Sequence, residues 1–98
     1  MKKKKPHCPL PKVKALIQAG KVRTTDAAQG GAAELGFEYD EMVAVVAALE
    51  MADFYKSMTT YADHRIWQDV YRPKTQAGAL YIKLTVIEDV LIVSFKEL

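Results

Sequence analysis

Ninety-eight residues, half of them apolar, carry a formal net charge of +2. That is enough for one modest core and too little for a dinucleotide-binding domain plus a second lobe, so any function sits on a single surface. The apolar runs, such as 42–49, fall short of the ~20 residues of a membrane span, and no apolar stretch follows the basic start as a secretory signal requires.

The single cysteine, Cys8, excludes an internal disulfide and fits a reducing cytoplasm. His7 beside it makes only two ligands, where a structural zinc usually takes four. No metal site and no cofactor are therefore expected. Residues 1–8 read as a flexible basic leader on one domain spanning 1–98. Charge is unevenly spread: residues 1–23 hold eight bases and no acid, 24–53 seven acids and no base, and 54–98 six bases and five acids. Nucleic acid follows positive potential, so the acidic middle is a poor face for it. The N-terminal segment and the C-terminal part remain.

In chain order, Pro11 suits a first helical turn, followed by Val13, Leu16 and Ile17 at helical spacing and Gly20 as a stop. Lys21-Val22-Arg23 is a short extended link. Thr24 or Thr25 caps a second helix reaching Leu35, with Gly36 just past its end. Gly30-Gly31 inside it costs about 1–2 kcal/mol of helix propensity. Asp40 is expected to cap a third helix with a Met42, Val45, Val46, Leu49 stripe.

From Phe54 the pattern changes to strands, over 55–61, 66–71, 80–87 and 90–95, rich in aromatic and β-branched residues. The expectation is an α+β fold: an antiparallel sheet backed by N-terminal helices. In the last hairpin, a two-residue Glu88-Asp89 turn sets Ile87 opposite Val90. Ile82 then faces Phe95, Leu84 faces Val93 and Val86 faces Leu91. On the other face Tyr81 meets Lys96, Lys83 meets Ser94 and Thr85 meets Ile92. A slip of one residue would set apolar against polar side chains. This register leaves an outward face bearing a tyrosine and two lysines, which is either a working surface or an ordinary wet sheet face.

Three stretches carry a resemblance to a known family. They are Val22-Arg23-Thr24-Thr25; Asp53-Phe54-Tyr55-Lys56-Ser57-Met58-Thr59-Thr60-Tyr61 continuing through Asp63-His64 and Ile66-Trp67-Gln68-Asp69-Val70-Tyr71-Arg72-Pro73; and Asp89-Val90-Leu91-Ile92-Val93-Ser94-Phe95-Lys96. On these the chain resembles the MqsR family of bacterial toxins over essentially its whole length. The resemblance implies a RelE-like toxin fold and a ribosome-independent, metal-independent endoribonuclease that cuts single-stranded mRNA at GCU-type sites. The family's active positions fall on Lys56, Gln68, Tyr81 and Lys96, two of which the register already sets opposite each other.

RNA contacts are expected from Tyr55, Arg72, Lys74 and Lys83, with Tyr61, Trp67 and Tyr71 as further aromatic platforms; Trp67 also reads as a core residue. Which lysine accepts and which donates a proton stays open, although clustered cations favour proton loss from one of them. The resemblance also implies an MqsA-like zinc-containing antitoxin, through which alone the pair would reach operator DNA. The rival reading is a non-catalytic toxin on the same fold that binds nucleic acid or targets gyrase.

Overall fold

The computed structural model describes residues 1–98. Its elements in chain order are β1 (Lys2–Lys3), α1 (Leu10–Gln18), β2 (Val22–Thr24), α2 (Asp26–Glu34), α3 (Tyr39–Ala47), a 3-10 turn (Met51–Asp53), β3 (Phe54–Thr59), β4 (Trp67–Tyr71), β5 (Lys74–Thr75), β6 (Gly78–Val86) and β7 (Val90–Glu97). The sheet runs β1-β3-β4-β6-β7-β2, with β5 paired to β6 alone. It is mixed rather than antiparallel: β2 lies parallel to β7, Val22 opposite Val90 and Thr24 opposite Ile92. The expected link at 21–23 is therefore an edge strand. Its three residues are too few to show alternation. No helix is long and apolar enough to cross a membrane.

The three helices cover one side of the sheet. Leu10 and Val13 of α1, Ala28 and Ala32 of α2, and Met42 and Val46 of α3 pack with Leu49 in one buried cluster against Tyr71, Leu80, Ile82, Leu84, Ile92 and Phe95. Thr25 caps α2. Its hydroxyl oxygen accepts the Ala28 N–H at 3.1 Å while the hydroxyl donates to the Val93 carbonyl at 2.9 Å. Gly31 then explains the glycine pair: a Cβ there would meet the Phe95 carbonyl oxygen at 2.0 Å, whereas one at Gly30 meets nothing within 4 Å. Helix propensity is sacrificed at Gly31 so that α2 can lie against the β7 backbone. Gly36, at φ +84°, ends α2 as expected. The cap of α3 is Glu38 rather than Asp40, with the Glu41 carboxylate accepting the Glu38 N–H at 2.9 Å.

The last hairpin keeps the expected register over half its length. Tyr81 faces Lys96, Ile82 faces Phe95 and Lys83 faces Ser94; then the count shifts, Leu84 facing Ile92, Thr85 facing Leu91 and Val86 facing Val90. Val93 is the extra residue of a β-bulge. The turn is therefore three residues, Ile87 to Asp89, and Ile87 is 74% exposed instead of paired. Beyond the bulge the phase inverts. Ile92 goes fully into the core, while Leu91 and Val93, expected there, are half-buried. The freed Val93 carbonyl is the one that Thr25 takes.

Residues 1–8 do not form a detached leader. Lys2 and Lys3 pair antiparallel with Met58 and Ser57 on the free edge of β3. Asp69, 5% exposed, anchors the end of this segment: its carboxylate accepts the His7 N–H at 2.9 Å, the Cys8 N–H at 3.1 Å and the Ser57 hydroxyl at 2.6 Å. A buried carboxylate is tolerable only when so satisfied. The Cys8 thiol is pushed above its ordinary pKa by burial, offset in part by Lys12 and reinforced by Asp69.

Candidate nucleic-acid interface

Side chains directly opposite across a sheet share a face. In the β3–β4 pair Lys56 faces Val70 and Met58 faces Gln68. In the β4–β6 pair Val70 faces Lys83, and in the β6–β7 pair Lys83 faces Ser94 and Tyr81 faces Lys96. Lys56, Gln68, Tyr81, Lys83 and Lys96 therefore all stand on the one face that the helices leave open. The pairing of β4 with β6 brings Gln68 to the same face as Tyr81. Val70, between Lys56 and Lys83 in its row, is fully buried, so its neighbours' stems close over it.

Tyr81 lies between two amines: the Lys96 Nζ is 5.4 Å from its ring centre and the Lys83 Nζ 6.0 Å. Along the row, the register breaks between Phe54 and Lys56 and Tyr55 is the bulged residue. The bulge turns its ring toward the open side, 48% exposed, with the Arg72 guanidinium 4.3 Å and the Lys56 Nζ 5.3 Å from its centre. Such contacts hold cations over an aromatic ring without neutralising them. The two ion pairs of the molecule, Arg23–Asp89 and Arg65–Asp63, involve none of these lysines. No ion pair neutralises the cations of this face.

Lys83 differs from its neighbours. Burial is the main cause that lowers its pKa below the ordinary lysine value, and the charges of Lys96 and Lys56 lower it further. Its proton is held less tightly than that of an ordinary lysine. Gln68 and Lys83 also share a groove of about 580 Å³ with Met58, Thr60, Tyr61 and His64. In that groove the Tyr61 ring is fully exposed.

Three expected contacts are not brought to the face. Lys74, on β5, lines a separate groove with Glu50, Asp53 and the end of α3. Tyr71 is wholly buried on the helix side with its hydroxyl unpartnered, and burial raises its pKa. Trp67 is half-buried beneath the N-terminal segment, stacked with His7 at 5.2 Å between ring centres. The role of Asp69 was missed by sequence reasoning. The one signal was a lone acid within the otherwise strand-like Trp67-Gln68-Asp69-Val70-Tyr71.

Fold and face together define a class: a small α+β protein whose uncovered sheet face is a cationic platform suited to a polyanion. The family described as "Motility quorum-sensing regulator, toxin of MqsA" matches residues 5–97. The mRNA interferase toxin MqsR of Escherichia coli (strain K12) is 59% identical over 97 residues, 99% of this chain and 99% of that protein. The chain belongs to the motility quorum-sensing regulator family of toxins.

Proposed function

We propose that the open sheet face is the active site of an mRNA interferase, a toxin that cuts single-stranded mRNA at GCU-type triplets without ribosome or metal and so arrests translation. The observation that carries this reading is the set of lysines outside any ion pair on the open face, Lys83 and Lys96 about Tyr81 and Lys56 one strand beyond Val70, with Gln68 on the same face. We read the architecture as a RelE-like toxin fold. An MqsA-like, zinc-containing antitoxin would keep the toxin silent, and operator DNA would be reached only through that partner.

The reaction is attack of a ribose 2′-oxygen on the adjacent phosphorus, with loss of the 5′-oxygen of the next nucleotide. Bond formation needs a base for the 2′-hydroxyl proton, and bond breaking needs a donor to the leaving oxygen; cations stabilise the charge in between. We assign the base to Lys83, whose amine stands on the open face 6.0 Å from the Tyr81 ring centre and whose pKa is lowered by burial and by its cationic neighbours. Lys56 and Lys96 hold the phosphate. Tyr81, beside Lys96, donates to the leaving oxygen, and Gln68 orients the phosphate or reads a base edge. Tyr55 and Arg72 offer a stacking surface and a phosphate contact at the flank.

Pure protein incubated with a defined GCU-containing single strand, with and without chelator, tests this directly. The expected result is chelator-resistant cutting at that triplet, reduced at least about tenfold in Lys96→Ala with the fold intact by circular dichroism. Retention of the strand without cutting would make the protein a binder, and full activity in Lys96→Ala would remove the site.

A further inference from the structure

The lysines at the start of the chain have no part in the chemistry above, yet the sheet carries some of them onto the same face. Lys2 is opposite Met58, which is opposite Gln68. Lys2 therefore shares the open face with Gln68 and Lys56. Lys4 follows in the bend just after the strand, and Lys2, Lys3 and Lys4 all line a groove of about 500 Å³ with Phe54, Tyr55 and Lys56. The Lys3 side chain differs in that its ammonium is turned to the opposite side. Its ammonium lies 4.2 Å from the centre of the Trp67 ring and 3.0 Å from His7 Nδ1. Of these three, Lys2 and Lys4 leave their ammonium groups beside the site, while that of Lys3 is engaged behind it.

Neither Lys2 nor Lys4 is in an ion pair, and both are exposed. From β1 to β6, where Lys83 and Tyr81 stand, are three strand steps, roughly 14 Å. That is too far for one phosphate to touch both ends. Between them lie Lys56 and the exposed Tyr55 ring, a cation and a stacking platform, which is the composition of a single-strand track. We infer that Lys2 and Lys4, held on the β3 edge, form a phosphate-binding subsite for single-stranded RNA flanking the cleavage point, reached along the groove past Lys56 and Tyr55. The inference rests on the ribonuclease reading for its ligand, and it adds that substrate recognition extends beyond the cut triplet on one side only.

The test compares the intact protein with Lys2→Gln/Lys4→Gln and with Lys3→Gln, which removes a neighbouring charge from the opposite face. Oligoribonucleotides share one cleavage site and are lengthened stepwise on either side. Binding to a strand made uncleavable by a 2′-deoxy sugar at the cut is measured over a range of salt. In the parent, kcat/KM should rise as nucleotides are added on one side. In the double variant the long-to-short ratio should fall at least threefold, and the slope of log affinity against log salt should flatten by up to about 1.4, two single-strand phosphate contacts at ~0.7 each. Lys3→Gln should leave both near parental values.

A flattened salt slope in a protein that does not cut would uphold the subsite while overturning the ribonuclease reading. Cutting with an unchanged length ratio and slope in the double variant would overturn the subsite and leave that reading standing. Equal loss in Lys3→Gln would reduce the effect to net charge and overturn it as well. So would an unchanged RNA slope with weakened binding of poly-glutamate, which would assign the groove to an acidic protein segment.

Discussion

The two faces of the sheet are made of alternate residues of the same strands, and they obey opposite rules. Toward the helices, Tyr71, Leu80, Ile82, Leu84, Ile92 and Phe95 are all essentially without solvent contact. The backbone there approaches so closely that one helix position tolerates no Cβ. Toward solvent, Lys56, Lys83 and Lys96 share one face with no carboxylate to pair them. The first arrangement contributes stability; the second opposes it, because like charges repel and Lys83 is part-buried. Charge placed where it destabilises, on the face the core does not need, is the pattern of a functional surface.

The contrast makes separable predictions. The largest concerns Lys83→Arg, which keeps the charge but cannot shed a proton. Cleavage should fall at least about 100-fold, the lower range for acid–base catalysis, with RNA binding retained. Parental kcat/KM should rise with pH as Lys83 deprotonates, on a limb below the ~10.4 of a free lysine. Lys56→Ala removes one of the charges that lower this pKa, so the pKa rises and what remains of the limb should move to higher pH. A rate–pH profile with no such limb would take the base role from Lys83.

On the helix side, Gly31→Ala should cost roughly 2–3 kcal/mol in urea unfolding, since its Cβ would collide with the Phe95 carbonyl. A parental midpoint would mean that α2 is not seated on β7 in this way. The smallest effect should come from its neighbour. Gly30→Ala enters open space in mid-helix and should gain about 0.5–1 kcal/mol. Two adjacent glycines with shifts of opposite sign would separate packing from propensity.

Much of this was legible because hydrophobic period and turn chemistry act locally. The α1 and α2 limits, the Thr25 cap and the Gly36 stop are set by residues within a few positions of each other. The Tyr81–Lys96 pairing was readable because apolar and polar residues alternate strictly at that end of the hairpin. Toward the turn the signal degenerates. Val90-Leu91-Ile92-Val93 is apolar at every position, so alternation cannot distinguish a regular ladder from one bulged at Val93. The edge strands were hidden for a different reason. β2 is held by a partner nearly seventy residues away, and the lysines of β1 lack strand propensity and owe their place to Asp69. As for the candidate site, the four family positions do share a face. The distinct state of Lys83 depends on burial and on amines from two other strands, which no linear pattern contains.

The position of β7 between β6 and β2 has a consequence for how the molecule comes into being. Translation delivers the chain from its first residue onward, and domains fold as their partners emerge. Here β2 and α2, built from residues 22–34, both rest on a strand made of residues 90–97. The early helices must wait, unpaired, until that strand has been synthesised. That same late strand carries Lys96. A ribosome therefore cannot release a folded fragment of this toxin with the lysine cluster complete ahead of time. Completion of the core and completion of the lysine cluster are one event, and a chain cut short before β7 would have neither.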